Sequence, residues 1–156
     1  MNGTSEYLTN EKFDEFNKEL EYLKHTRRKE VAENLEYAKS LGDLSENAEY
    51  HEARDTQANI EDRIAKLESI IKTAVIVPPS HDTTTVTVGS VVTIEKEGET
   101  NQRKYTIVGS EEADMSAGKI SIKSPLGLAI MGKKKSETFT FKTPGGTVAY
   151  KVLGIQ

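Results

Sequence analysis

The chain has 156 residues, a formal net charge of −4 at neutral pH, 35% hydrophobic residues, 29% charged residues and no tryptophan. This composition is typical of a soluble protein with a large wetted surface, and the negative charge argues against strong electrostatic binding to bare nucleic acid. The chain has no cysteine, no apolar run of the roughly 18 residues that a membrane span needs and no secretion-signal pattern, so we expect a cytoplasmic protein without disulfides, thiolate metal sites or a membrane partner.

The charge is distributed unevenly along the chain. Residues 1–77 carry 11 Lys and Arg against 17 Asp and Glu, a net charge of −6, whereas residues 78–156 carry 10 against 8, a net charge of +2. The length is sufficient for two small domains. The asymmetry therefore predicts two parts of different character.

The first segment, residues 10–41, contains neither Pro nor Gly and has apolar residues at steps of three and four. Such spacing predicts an amphipathic helix with one narrow apolar stripe, as in a coiled-coil seam. Thr9 or Asn10 is expected to cap this helix, and Gly42 is expected to take a left-handed conformation just past its end. The stripe consists of Phe13, Phe16, Leu20, Leu23, Val31, Leu35, Ala38 and Leu41.

A second segment, residues 46–74, repeats the pattern and predicts a second helix with one apolar stripe. Because only a short loop around Gly42 separates the two segments, and neither stripe would be stable in water, we expect an antiparallel hairpin closed through both stripes. Each arm of roughly 30 residues would be about 45 Å long. The second stripe consists of Ala53, Thr56, Ile60, Ile64, Leu67, Ile71 and Ala74.

The character of the sequence changes at Pro78 and Pro79, which begin a stretch with Ser80, His81 and several Thr that cannot continue a helix. We therefore predict a coiled-coil hairpin at residues 1–77, a linker at residues 78–82 and a second domain at residues 83–156.

The second domain is predicted to be a small antiparallel β-sheet with one short helix, so the fold class of the chain is α+β. Ser124 can cap the short helix, Pro125 suits its first position and Gly132 can end it. Turn signals lie at Gly98 and at Pro144 followed by two Gly. The β-type runs are residues 90–97, 104–108, 120–123, 138–142 and 148–153.

Acidic residues crowd the bend of the hairpin, at Asp43, Glu46 and Glu49. Like charges at this spacing on a helix repel each other, so stability alone does not explain the cluster. One alternative is structural: Asp43 caps the second helix and Glu46 completes a capping box. The other is a metal site, because oxygen ligands without Cys or clustered His suit Mg²⁺. Two exposed carboxylates would bind Mg²⁺ weakly, so a partner and its phosphate-bearing substrate would supply the other ligands of a two-metal phosphodiester cleavage site.

Two stretches carry a family resemblance. Residues 42–54, Gly-Asp-Leu-Ser-Glu-Asn-Ala-Glu-Tyr-His-Glu-Ala-Arg, closely resemble the signature of the GreA-type factors of the bacterial Gre family. Residues 119–122 and 124–133 resemble the second signature of the same family. The resemblance covers nearly the whole chain, and it implies an N-terminal coiled-coil hairpin and a C-terminal domain similar to FK506-binding proteins.

The resemblance also implies a function. Factors of this family enter the secondary channel of RNA polymerase, with the C-terminal domain at the channel rim and the hairpin tip at the active centre. There the tip acids, matched here by Asp43 and Glu46, help to hold the second catalytic Mg²⁺ and its water while the polymerase cleaves backtracked nascent RNA and makes a new 3′ end. By this resemblance the chain is not an enzyme alone. We expect it to bind no Mg²⁺ stably when free and to be a monomer.

Two further groups in the hairpin are candidates for contact with RNA or polymerase. Tyr50, His51 and Arg54 lie within two turns of the tip acids, although side chains on an exposed helix face are more often only solvated. The basic run Arg27-Arg28-Lys29 lies where the first apolar stripe lapses, at Thr26 and Arg27. It is either the family's basic patch for the RNA 3′ segment or an ordinary solvated cluster. The family often has Pro at the position of Lys29.

In the second domain, Ser124, Pro125 and Gly127 are candidates for the surface that docks on polymerase. A helix cap and close packing explain the same residues equally well.

Three other functions compete with transcript cleavage. A domain similar to FK506-binding proteins could be a peptidyl-prolyl isomerase, but such a site needs an aromatic-lined pocket. A paralogue of the same shape that inhibits polymerase is expected to have an acidic cluster different from Asp-Leu-Ser-Glu. A coiled-coil adaptor would leave the tip acids dispensable. The aromatic residues of the second half that a small sheet core could use are Tyr105, Phe139, Phe141 and Tyr150.

Overall fold

The structure is a computed structural model that describes residues 5–79 and 82–156. Ser80 and His81 of the predicted linker lie outside the described residues. The chain forms two compact units. One is Phe13–Thr73, and the other combines the described residues up to Lys12 with those from Ala74 onward. Within the described ranges, we find no helix that is long and apolar enough to cross a membrane.

The first unit is the predicted antiparallel hairpin. Non-covalent contacts join its arms at several levels. The Asn47 side chain bonds the Ala38 carbonyl near the bend, and Arg28 pairs with Glu61 further along. As the residue number falls along the first arm, the number of its partner rises along the second, so the arms are antiparallel. At 26 residues, the second arm is about 39 Å long. The helices are α1 (Asn10–Tyr22), α2 (Arg28–Ser40) and α3 (Ala48–Thr73), with a π-helical turn at Leu23–Arg27 between α1 and α2.

The predicted apolar stripes form the core of the hairpin. Burial follows helical spacing in both arms because side chains three and four residues apart lie on one face. Ile70 is buried where the sequence predicted Ile71, which is only half-buried, and Leu41 at the bend remains 51% exposed. The buried members are Phe16, Val31, Leu35 and Ala38 in the first arm and Ala53, Ile60, Ile64, Leu67 and Ile70 in the second.

The π-helical turn Leu23–Arg27 lies where the first stripe lapses. From Leu23 to Val31 the stripe advances eight residues, whereas two α-helical turns take only about 7.2. The i→i+5 bonding of a π-helix accommodates the extra residue. Both Leu23 and Val31 can therefore pack against Ile60 and Ile64 in one hydrophobic cluster.

The second unit contains a five-stranded sheet and one short helix, and these are β3 (Val91–Lys96), β4 (Gln102–Val108), β5 (Lys119–Ser121), β6 (Thr138–Thr143), β7 (Gly146–Ile155) and α4 (Pro125–Ile130). The strands lie in the order β5-β4-β3-β7-β6. Its neighbours pair antiparallel, as predicted, except that β4 and β5 are parallel. Strand burial alternates, and the inward residues include Val92, Ile94, Ile107 and Val152. The short helix α4 covers this face.

Two short strands that the sequence did not predict flank the hairpin in the chain. β1 (Glu6–Leu8) and β2 (Ala74–Ile76) pair in parallel, and the Val77 amide continues the ladder by donating to the Leu8 carbonyl at 2.8 Å. Ala74, predicted as the last residue of a helical stripe, is thus in a strand.

Residues in β1 and directly after it also contact the segment that follows β4. The Thr9 amide and hydroxyl donate to the Glu112 carboxylate at 2.9 and 2.8 Å, and a Cβ on Gly109 would lie 2.0 Å from the Tyr7 carbonyl oxygen. These contacts explain why the described residues up to Lys12 belong to the same compact unit as those from Ala74 onward, so the hairpin unit is Phe13–Thr73, compared with the predicted 1–77.

Candidate functional site

The bend of the hairpin is an exposed loop between Ser40, where α2 ends, and Ala48, where α3 begins. Gly42 has a φ of +127°, a conformation that favours glycine, as expected just past the end of a helix. Every residue from 41 to 46 is exposed, including Leu44, which lies between the two candidate acids and is 40% exposed.

The Asp43 carboxylate is fixed by the loop itself. Its Oδ1 accepts hydrogen bonds from the Ser45 amide at 3.0 Å and the Ser45 hydroxyl at 2.9 Å. These bonds, the amide bond first, hold the pKa of Asp43 below its ordinary value of 3.8, so the group is ionised at neutral pH. Oδ2 has no hydrogen-bond partner among the described residues. Asp43 therefore keeps an ionised oxygen that faces solvent.

Glu46 is the second exposed carboxylate of the loop. It has no hydrogen bond or ion pair with any residue that the structure describes. It lies two residues before α3, so of the three acids that crowd the bend only Glu49 lies in the helix.

The helix cap is Asn47, not Asp43, so the capping-box alternative is wrong. The Asn47 Oδ1 accepts from the Tyr50 amide at 3.0 Å, which is the pattern of an N-cap. Its Nδ2 donates to the Ala38 carbonyl at 2.6 Å. Asn47 was not among the predicted caps, although an Asn immediately before a helical pattern is a recognised start signal.

The two tip acids are of the ligand type that a Mg²⁺ ion requires. Magnesium prefers carboxylate oxygens in small number and completes its coordination with water and phosphate. Asp43 and Glu46 offer such oxygens, and within residues 5–79 and 82–156 no three His, Asp or Glu side chains are grouped so as to hold a metal ion. A metal held here would need ligands from outside this chain.

The other candidate contact residues near the tip, Tyr50, His51 and Arg54, make only local contacts on α3. The Tyr50 ring is half-buried and lies edge-on to the exposed His51 ring, with centroids 5.6 Å apart. Arg54 is exposed and makes a long contact of 3.4 Å to Gln57. Contact of these three residues with RNA or polymerase stays a prediction.

The basic run is engaged in ion pairs. Arg28 donates two hydrogen bonds of 2.8 Å to Glu61 on the other arm. The hydrogen bond from Arg28 is the main cause that lowers the pKa of Glu61. Arg27 pairs with Glu30 of its own arm at 3.0 Å. These pairs give the run a role in the hairpin itself, while its role as an RNA-binding patch stays a prediction.

The start of α4 explains two of the three docking candidates structurally. The Ser124 hydroxyl caps the helix by accepting from the Gly127 amide at 3.0 Å, as predicted. A Cβ on Gly127 would lie 2.0 Å from the Ser121 carbonyl oxygen, so only glycine fits there without a backbone shift. Pro125 is exposed at the first helical position, and Leu128 of the same helix is 67% exposed.

The aromatic residues considered for a prolyl isomerase site pack against one another. Phe139 is buried, and its ring is stacked with those of Phe141 and Tyr150 at centroid distances of 6.4 and 6.0 Å. Together with Tyr105 they belong to the core of the sheet or pack against it.

Comparisons with known proteins cover both parts of the chain. The family model described as "Transcription elongation factor, N-terminal" matches residues 6–76, and the model described as "Transcription elongation factor, GreA/GreB, C-term" matches residues 81–156.

Individual relatives match over nearly their full length. The transcription elongation factor GreA of Clostridioides difficile is 46% identical over 150 residues, covering 96% of this chain and 94% of the relative. The GreA of Bacillus subtilis is 43% identical over 148 residues, covering 95% and 94%. Among solved structures, the GreA factor homolog 1 (Gfh1) of Thermus thermophilus is 27% identical, covers 97% of this chain and 99% of that chain, and has a TM-score of 0.44. Because both family models match and these relatives are similar over nearly the whole length, the chain belongs to the GreA/GreB family of transcription elongation factors.

Proposed function

We propose that this chain binds RNA polymerase through its secondary channel and stimulates the polymerase to cleave its own backtracked nascent RNA. In this proposal the chain is not an enzyme alone. Asp43 and Glu46 help to hold the second catalytic Mg²⁺ and its water, and the polymerase and the RNA phosphate supply the remaining ligands. Rescue of arrested elongation in the cytoplasm follows, because cleavage leaves a new RNA 3′ end in the active centre.

The state of the two carboxylates is the observation that carries the proposal. Both are exposed, the pKa of Asp43 is lowered by its bonds to Ser45, and Glu46 has no partner among the described residues. Carboxylate oxygens on an exposed loop are available to a ligand from outside. A second Mg²⁺ in such a site would orient and activate the attacking water and neutralise charge on the scissile phosphate.

The rest of the chain has supporting roles in this proposal. The second unit docks at the channel rim through the start of α4, where Pro125 and Leu128 are exposed. Tyr50, His51 and Arg54 lie close to the acids along α3 and would contact the RNA 3′ segment or the channel wall.

The test is a double substitution, Asp43→Asn with Glu46→Gln, assayed on a backtracked RNA polymerase complex. Each change keeps the size of the side chain and removes its charge. We expect stimulated cleavage to fall roughly 100-fold or more, the scale on which removing one electrostatic group from a catalytic site acts. Polymerase binding, measured by competition with the unmodified chain, should persist.

The matched control is Glu52→Gln with Asp55→Asn, two exposed acids further along α3. It makes the same change in net charge and should cleave at the unmodified rate. If the tip variant cleaves as fast as this control, the carboxylate mechanism is wrong and an adaptor role is favoured. If the unmodified chain suppresses cleavage, it is an inhibitor of the polymerase.

A further inference from the structure

The side chain of Asn47 joins the two arms of the hairpin at the tip. Its Nδ2 donates to the Ala38 carbonyl in the last turns of α2 at 2.6 Å, and its Oδ1 accepts from the Tyr50 amide in the first turn of α3 at 3.0 Å. The two bonds use both ends of one amide. Nothing else that the structure describes in the loop bonds both helices in this way.

Only an amide of this length satisfies both partners. A carbonyl oxygen requires a donor and a backbone N–H requires an acceptor, so the orientation of the Asn47 amide is determined by its surroundings. An Asp at this position could accept from Tyr50 but could not donate to Ala38. A Ser could serve as a cap, but its single oxygen would not also reach back to the other arm.

The bridge also acts on helix-end groups: it gives the Tyr50 amide an acceptor and the Ala38 carbonyl a second donor. The last four carbonyls of a helix lack intrahelical partners, and the Ala38 carbonyl receives both Asn47 Nδ2 and the Leu41 amide, at 2.6 and 3.2 Å. Ala38 is itself 2% exposed, so the bridge is attached to a buried and well-packed part of α2.

The position of the bridge matters for the carboxylates. Glu46 directly precedes Asn47, and Asp43 lies within the loop that the bridge closes between residues 38 and 47. Asp43 is further held by Ser45. The backbone that carries both acids is therefore closed by the bridge at its ends and by the Asp43–Ser45 turn in its middle.

We propose that Asn47 is a positioning residue: by locking α2 to α3 at the tip, it holds the loop so that Asp43 and Glu46 present their carboxylates together to the shared Mg²⁺. This inference rests on the proposed function above. Asn47 does not touch the metal itself. Its effect is to reduce the conformational freedom that the loop would lose on binding the ion, because ordering backbone costs free energy.

The experiment uses Asn47→Asp and Asn47→Ser in the full chain with a backtracked polymerase complex. Both variants retain a capping oxygen and remove the donor to Ala38, but only the first adds a charge, so a shared effect is not electrostatic. We expect the maximal cleavage rate at saturating factor to fall roughly 2- to 10-fold, the range of one lost hydrogen bond. The Mg²⁺ concentration for half-maximal cleavage should rise, while the factor concentration for half-maximal binding stays constant.

The control is Asn59→Asp, the same substitution at an exposed position of α3. It should leave the cleavage rate and the Mg²⁺ requirement unchanged. Unmodified values for both Asn47 variants would overturn the inference. Loss of helicity together with weaker polymerase binding would also overturn it, because Asn47 would then only stabilise the hairpin.

The Asp43 and Glu46 double variant separates the two proposals. If that variant is inactive while the Asn47 variants are normal, only the present inference fails, and if it cleaves normally, the proposed function fails as well.

Discussion

Ile64→Ala tests whether the apolar seam holds the hairpin together. Ile64 is 3% exposed and packs with Val31 and Ile60, which are 2% and 7% exposed. The substitution removes three methyl or methylene groups, which corresponds to about 2.4 kcal/mol of transfer free energy. A residual cavity adds to this, so we expect a loss of about 3 kcal/mol in the free energy of unfolding.

The assay is urea unfolding followed by far-ultraviolet circular dichroism, because most helical residues of the described chain lie in α1, α2 and α3. The midpoint should fall while the slope with urea stays constant, since the surface exposed on unfolding is nearly unchanged. In a thermal scan the same loss corresponds to roughly 12–24 °C for a unit of this size.

The matched control is Tyr37→Ala, which removes a large side chain that is 63% exposed on α2. We expect a change within about 0.5 kcal/mol. If Ile64→Ala costs less than about 1 kcal/mol, or no more than the control, the seam does not carry the stability of the hairpin and the packing argument is wrong.

Two further predictions concern an ion pair and a close approach. The hydrogen bond from Arg28 lowers the pKa of Glu61 below 4.5, so the pair stabilises the hairpin above that value and the contribution is lost as pH falls through the folded pKa. Glu61→Gln should therefore reduce the acid dependence of thermal unfolding below about pH 5, and an unchanged profile would contradict the pairing. Gly109→Ala should destabilise the second unit by about 1–3 kcal/mol in urea unfolding, because its Cβ would lie 2.0 Å from the Tyr7 carbonyl oxygen. Gly154→Ala, whose Cβ would meet nothing within 4 Å, is the neutral control, and equal effects would exclude the steric cause.

The two helical arms were predictable because a helix that packs on one face has apolar residues at regular spacing in the sequence. Phe16, Val31 and Leu35 recur on one face, and burial of that face is what stabilises the helix. Helix caps were also predictable, because a cap joins residues only a few positions apart in the sequence. The Thr9 hydroxyl accepts from the Lys12 amide at 3.2 Å, and Ser124 caps α4.

At the tip, the sequence identified Asp43 and Glu46 as candidates, and its structural alternative placed the helix cap at Asp43, whereas the structure has it at Asn47. Asp43 and Asn47 both suit an N-cap chemically, so local preference could not choose between them. The choice depends on the other arm, because Asn47 can also donate to Ala38, nine residues earlier. Asp43 is then left to bond Ser45 and to keep one oxygen exposed.

The sequence by itself therefore determined the hairpin, the five strands of the larger sheet and the family, because spacing, capping residues and contiguous motifs indicate each of them. Tertiary structure decided the parallel pairing of β1 with β2, the bonds from Thr9 to Glu112 and the bond from Asn47 to Ala38. The physical reason is that three-residue strands and single hydrogen bonds between distant residues leave no periodic pattern. Their geometry becomes defined only when the packed elements bring donors and acceptors within about 3 Å of each other.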